Sequence, residues 1–166
     1  MNRIAIVGIS GSGKSTVSKL VEKKTGLPLY HMDQLFWKGN WQAIPEEEYL
    51  IKHEELIKKD TWIIEGYVDG LMAERLKRAD LIIYLDYSGL LCSWRVIRRW
   101  FKHRKESRPE LDKDALERFS LEFLKVVFKR KERGPIEEAL KGISQEHVIR
   151  VHSPTELKRF LENKLF

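Results

Sequence analysis

Gly8-Ile9-Ser10-Gly11-Ser12-Gly13-Lys14-Ser15-Thr16 directly follows the apolar run Ile4-Ala5-Ile6-Val7. Glycines at this spacing let the backbone turn through conformations closed to other residues and aim successive N–H groups at one point, where phosphate oxygens can be held. The apolar pattern that comes next, Val17, Leu20 and Val21, predicts a helix whose positive dipole end faces the same point. Lys14 then reaches the outer phosphates as a point charge. The Ser15 hydroxyl is expected on the Mg²⁺ that bridges them, with Thr16 completing the motif. A chance glycine-rich turn would not need a strand before it and a helix after it, and both are present. The stretch predicts a strand, loop and helix that grip a nucleoside triphosphate.

Outward from that loop, short apolar runs recur at Arg3 to Val7, Pro28 to His31, Trp62 to Glu65, Leu81 to Asp86 and His147 to Val151, with helical patterns between them. The runs are continuous rather than alternating, as strands covered on both faces must be. The prediction is one α/β domain over residues 1–166, a three-layer α/β/α sandwich around a five-stranded parallel sheet. Pro45 and Glu46 to Glu48 suit a first helical turn, after which Tyr49, Leu50, His53, Leu56 and Ile57 form one stripe. Leu90, Trp94, Ile97 and Phe101 repeat at helical spacing and are expected in the core, as are Leu116, Phe119, Phe123, Val126 and Val127. Gly134-Pro135 is expected to break the helix that starts near Asp112. Ser153-Pro154-Thr155-Glu156 has the order of a capping residue, a first-turn proline and a capping-box glutamate, ahead of Leu157, Phe160, Leu161 and Leu165.

The 166 residues are enough to bury a full core without a second domain. The first strand begins at once, and no run approaches membrane-spanning length, so a cytoplasmic protein without secretory leader or membrane anchor is expected. A single cysteine, Cys92, excludes an internal disulfide or a cysteine-based zinc cage and reads as a small buried apolar residue. The net charge of +6 and pI of about 9.4 suit either nucleic acid or a ligand with several phosphates. No helix-turn-helix, zinc finger or other known reader is present, so a nucleic-acid-binding regulator is the secondary reading.

In open α/β sheets ligands lie beyond the carboxyl ends of the strands. Four segments end there: His31-Met32-Asp33, Glu65-Gly66-Tyr67, Asp86-Tyr87-Ser88 and His152-Ser153-Pro154. Asp33 is the candidate that aligns an acceptor hydroxyl or orients the magnesium shell. His31 reads as a hydrogen-bonded structural group before a base. Asp86 closes the run Leu-Ile-Ile-Tyr-Leu-Asp in the way of an aspartate that meets magnesium through water, and Glu65 competes for that place. Arg95, Arg98, Arg99, Lys102, Arg104, Lys105 and Arg108 form a basic stretch. A solvated face is one reading; the other places Arg95, Arg99 and Arg104 on a transferring phosphoryl group, the last from a small lid over residues 102–113. Phe36, Trp37 and Trp41 either stack on a substrate ring or pack their loop onto the sheet.

The segments Gly-Ile-Ser-Gly-Ser-Gly-Lys-Ser-Thr, Leu-Pro-Leu-Tyr-His-Met-Asp-Gln-Leu-Phe-Trp, Trp-Ile-Ile-Glu-Gly-Tyr and Ala-Asp-Leu-Ile-Ile-Tyr-Leu-Asp together resemble the bacterial topology modulation proteins of the FlaR type, relatives of adenylate kinase. The resemblance implies a nucleoside-monophosphate-kinase-like fold of strand order 2-3-1-4-5, with ATP and Mg²⁺ as ligands and arginines on a small lid. It implies Gly8, Ser10, Gly11, Ser12, Gly13, Lys14, Ser15 and Thr16 around the phosphates, and Ser153 and Pro154 around the adenine. Asp33, Phe36, Trp37, Glu65 and Gly66 would then face a small acceptor. The adenylate-kinase signature Asp-Gly-Phe-Pro-Arg is represented by Glu65-Gly66-Tyr67-Val68-Asp69, without the arginine that would hold an acceptor phosphate. The family's name points to an effect on DNA topology, which this fold would exert indirectly.

Overall fold

The three central strands of the main sheet are largely buried apolar runs because each is covered on both faces, whereas the edge strands are only partly buried. β1 (Arg3–Gly8) lies at the centre, paired in parallel with β5 (Trp62–Glu65) on one side and β6 (Leu81–Leu85) on the other. β2 (Leu29–His31) and β7 (Val148–Val151) form the edges, giving the order β2-β5-β1-β6-β7. Counted along the five strands of this sheet, that is 2-3-1-4-5. The computed structural model describes residues 1–38, 42–66, 70–103 and 119–163.

Successive side chains of β1 alternate between two cores. Ala5 and Val7, with Trp62, Ile64, Ile82 and Tyr84, pack beneath α3 (Glu46–Ile57), α4 (Met72–Arg78) and α7 (Arg133–Leu140) through Tyr49, Leu56, Met72, Leu76 and Ile136. Ile4 and Ile6, with Ile63, Ile83 and Leu85, meet α1 (Lys14–Thr25), α5 (Gly89–His103), α6 (Leu121–Phe128) and α8 (Pro154–Asn163) through Val17, Val21, Cys92, Val127 and Leu161. At ~1.5–3 kcal/mol for each large apolar side chain removed from water, these two layers dominate the stability of the sandwich.

Local signals set several helix ends. α8 begins where its sequence predicts: Glu156 N–H donates to the N-cap Ser153 Oγ at 3.2 Å, and Glu156 Oε2 accepts from the N–H of His152, the residue before the cap, at 2.7 Å, a variant of the capping box. α6 starts from Ser120, whose Oγ accepts from Phe123 N–H.

Other expectations need correction. The Leu90, Trp94, Phe101 stripe of α5 is not core: these side chains are exposed, Trp94 by 54%. The helix instead buries Gly89, Cys92 and Ser93, because its contact with the phosphate loop and α6 fixes which side turns inward. Gly134-Pro135 does not end a helix. The chain breaks earlier, after Phe128, where Arg130 takes a φ of 54°, and Pro135 lies in the first turn of α7, where its missing N–H has no intrahelical partner to lose. Residues 112–118, expected to open that helix, lie outside the described residues. A small antiparallel pair, β3 (Trp37–Lys38) with β4 (Gln42–Ala43), follows the short helix α2 (Met32–Phe36) and was not anticipated.

Candidate active site

The loop between β1 and α1 closes as its glycines require. Gly11 (φ 80°) and Gly13 (φ 95°) adopt left-handed conformations. At Gly11 a Cβ would come within 2.4 Å of the Cys92 carbonyl oxygen, so the first turn of α5 presses directly on the loop. Ser12 N–H donates to the Ile9 carbonyl at 3.1 Å. Lys14 folds back over the loop and donates through Nζ to the carbonyls of Gly8 (2.9 Å) and Ile9 (3.1 Å). Its ammonium thus marks the end of the loop where an outer phosphate would lie.

Before the loop opens a cavity of about 580 Å³, lined by Ser10 to Thr16 together with Asp33, Glu65, Tyr87, Arg95, Arg99, Lys102, His103, Pro154 and Leu157. Strand order creates this convergence. β5 is the neighbour of β1, so Glu65 at its carboxyl end stands beside the loop, and β2 places His31 opposite Glu65 in register. Ser15 Oγ donates to Glu65 Oε1 at 3.0 Å, and the same oxygen lies 2.5 Å from His31 Nδ1. Glu65 is 4% exposed.

From the opposite side Arg95 reaches across from α5. Its Nη1 donates to the Ser12 carbonyl at 2.9 Å while its guanidinium lies over the Tyr87 ring, 5.3 Å from the centroid. Arg99, Lys102 and His103 continue this basic wall one and two turns on. The basic stretch read from the sequence is therefore turned toward the phosphate loop through these residues, and Arg98 is turned away, over Trp94.

Several sequence candidates lie elsewhere. Asp86 does not line the cavity. Its carboxylate accepts from Arg133 Nε (3.1 Å), from Arg150 Nε (2.9 Å) and Nη2 (2.5 Å), and from Arg130 Nη2. Burial opposes its charge, yet the hydrogen bonds from Arg133 and Arg150 and the nearby guanidinium charges hold its carboxyl below the usual carboxylate range. A group already surrounded by three cations offers no attraction to a fourth. Phe36 packs edge-on against Trp37 (4.7 Å) and Tyr49 (5.2 Å) and against the core beneath α3, as the packing reading of Phe36 expects. Ser153 caps α8 while its neighbour Pro154 lines the cavity. Gly66 (φ 121°) is pressed against Met32, where a Cβ would meet Met32 Cβ at 3.1 Å. Arg104, Trp41 and residues 104–113 of the expected lid lie outside the described residues.

Tyr87 belongs to a strand-end segment and Leu157 to the apolar stripe of the last helix, without a site role read from the sequence for either, and Glu132 is not indicated by the sequence at all. Tyr87 carried a signal, since it directly follows a strand end. Glu132 carried none, because nothing local ties it to Ser10, 122 positions earlier. Cys92 is buried and burial pushes its thiol up, which suits an inert packing residue.

The donor set can be tested against magnesium. Among the described residues no three His, Cys, Asp or Glu side chains converge on one point. Mg²⁺ does not require such a cage, since it keeps several waters and takes phosphate oxygens with one or two protein groups. The Ser15 hydroxyl and Glu65 carboxylate, 3.0 Å apart at the loop, fit that pattern.

No protein-family model matches the chain. Among solved structures it is similar to a gluconokinase from Sinorhizobium meliloti 1021, with a TM-score of 0.55 over 98% of this chain and 94% of that one at 16% identity. It is likewise similar to the shikimate kinase from Acinetobacter baumannii in complex with shikimate, with a TM-score of 0.57 over 100% and 96% at 18% identity. The fold is that of a P-loop kinase. A curated shikimate kinase of Clostridium botulinum (strain Alaska E43 / Type E3) is 32% identical over 99 residues, a match that spans 51% of this chain and 60% of that protein. No helix among the described residues of this P-loop kinase fold is long and apolar enough to cross a membrane.

Proposed function

We propose that the chain is a magnesium-dependent phosphotransferase that moves the γ-phosphate of ATP to a hydroxyl group of a small acceptor. The observation that carries this reading is the convergence in one cavity of a phosphate loop, the Ser15–Glu65 pair, Asp33 and a wall of cations from α5. Ser15, with Glu65 rather than Asp86, would hold magnesium, which would supply neutralisation of the phosphate charge. The loop amides and Lys14 fix the phosphates, and Pro154 and Leu157 border the adenine end. Asp33 accepts the hydroxyl proton as the acceptor oxygen bonds the γ-phosphorus and the bond to the β,γ-bridging oxygen breaks, releasing ADP. Arg95 and Arg99 stabilise charge on the transferring group.

Asp33 together with Arg99, Lys102 and His103 suits an acceptor that carries an anionic group beside its hydroxyl. A hydroxy acid is in keeping with the names shikimate kinase and gluconokinase among the similar proteins. Within the P-loop kinases, the segment from Leu27 to Trp37 supports a place in the topology modulation branch.

The test is incubation with Mg-ATP and a panel of hydroxy acids, nucleosides and nucleoside monophosphates, with phosphorylated product followed by ³¹P NMR. Transfer to at least one acceptor, abolished by Lys14→Ala, is expected. Hydrolysis alone, unchanged in that variant, refutes the reading.

A further inference from the structure

The phosphate loop already holds an anion, and that anion belongs to the chain itself. Ser10 N–H donates to Glu132 Oε2 at 2.5 Å, and Ser10 Oγ donates to Glu132 Oε1 at 3.0 Å. A carboxylate with two oxygens on an amide and a hydroxyl of this loop occupies donors of the kind a phosphate would take. Glu132 arrives from the turn between α6 and α7, at the N-cap position of α7 but with its side chain turned to Ser10 rather than to the helix, and Arg130 and Arg133 beside it are anchored on Asp86. That anchorage fixes its position relative to the sheet.

Ser10 immediately follows Gly8 and Ile9, whose carbonyls hold the Lys14 ammonium. On the reading that Lys14 reaches the outer phosphates, Ser10 therefore stands toward that end of the loop. A negative charge there opposes the last phosphate of a bound nucleotide more than the inner ones, because coulombic repulsion falls with distance.

We propose that Glu132 is a specificity-determining residue of the phosphate loop, a built-in anion on Ser10 against which the terminal phosphate must compete, so that its charge sets the balance between triphosphate and diphosphate binding. The proposal rests on the nucleotide reading given above. It assigns the turn between α6 and α7 a part in sensing whether the third phosphate is present, since displacement of the Glu132 carboxylate frees that turn from the loop.

Calorimetry of Mg-ATP and Mg-ADP on the full chain tests it, comparing wild type, Glu132→Gln, Ser10→Ala and Lys14→Ala. Gln keeps the length of the side chain and an oxygen for the Ser10 amide while removing the charge. The expected result is roughly tenfold tighter Mg-ATP binding in Glu132→Gln with Mg-ADP changed by less than about twofold. Ser10→Ala, which loosens the carboxylate by one hydrogen bond, is expected to shift the same ratio in the same direction by about two- to threefold. An unchanged ratio in Glu132→Gln, or equal weakening of both nucleotides, overturns the proposal and leaves Glu132 a structural clamp. If Glu132→Gln fails to fold, an unchanged ratio in Ser10→Ala overturns it in its place. Failure of wild type to bind either nucleotide overturns the nucleotide reading itself, a result distinguishable from the others because it precedes any comparison of variants.

Discussion

The Ser15 hydroxyl and the Glu65 carboxylate meet at 3.0 Å across 50 positions of sequence. One is the residue that the loop motif assigns to magnesium; the other ends the strand next to β1. This contact supports the proposal that Glu65, rather than the arginine-bound Asp86, would complete a magnesium shell beside Ser15. His31, 2.5 Å from the same carboxylate oxygen, orients Glu65 from the edge strand.

Glu65→Gln keeps the shape of this pair and removes its charge. The expected outcome is a ~10–100-fold loss in turnover or in apparent magnesium affinity, with a thermal midpoint close to wild type. Titration of activity against Mg²⁺ checks it. A loss of equal size in Asp86→Asn at unchanged stability would return the metal to Asp86.

Asp86 is expected to act on stability. Its carboxylate balances Arg130, Arg133 and Arg150, and replacement by Asn leaves Glu137, paired with Arg133 and Arg150, as the remaining carboxylate among the three guanidiniums. The partners are about a third exposed, so the loss falls at about 2–3 kcal/mol, below that of a fully buried pair. Denaturant unfolding at neutral pH measures it.

The same carboxylate gives a pH dependence of known sign. Its folded pKa lies below its ordinary value of 3.8, so the unfolded chain binds its proton first. The stabilisation is complete above the ordinary value and is lost as pH falls through the folded one. Thermal melts from about pH 6 down to pH 2 should show an acid limb that is shallower in Asp86→Asn than in wild type. Identical limbs contradict the assignment.

Gly11→Ala combines a left-handed φ with a Cβ placed 2.4 Å from a backbone oxygen of α5. The nearest atom is backbone and has no rotamer by which to move aside. A destabilisation of ~1–3 kcal/mol is expected, with nucleotide affinity reduced more than the stability loss alone explains. Calorimetry alongside thermal melts separates the two effects.

Asp33→Asn removes the charge of the proposed proton acceptor while keeping the side-chain volume. Turnover with a transferred acceptor is expected to fall ~10²–10⁴-fold with Mg-ATP affinity nearly unchanged. Steady-state kinetics together with nucleotide binding decides it; an equal loss in binding would move Asp33 from the acceptor to the nucleotide.

Much of the architecture was legible because its causes are local. Three glycines, a lysine and a serine at fixed spacing describe a phosphate loop wherever a strand precedes them and a helix follows. The doubly covered strands showed as unbroken apolar runs, and the capping box at Ser153 to Glu156 was legible because its bonds span four residues. Helical spacing at Leu90, Trp94, Ile97 and Phe101 revealed a stripe but not the direction in which it points. That depends on the close fit of Gly11 against Cys92, a contact between elements 81 positions apart.

The chain's own order of residues determined the loop, the parallel sheet and the set of carboxylates that end its strands, since backbone conformation and burial pattern are written at short range. Tertiary structure alone decided what each carboxylate contacts. Sheet order placed Glu65 beside Ser15 and His31, while the return of the chain after α6 brought Arg130 and Arg133 onto Asp86 and Glu132 onto Ser10. Charges act through distance in space, and only the folded chain sets those distances.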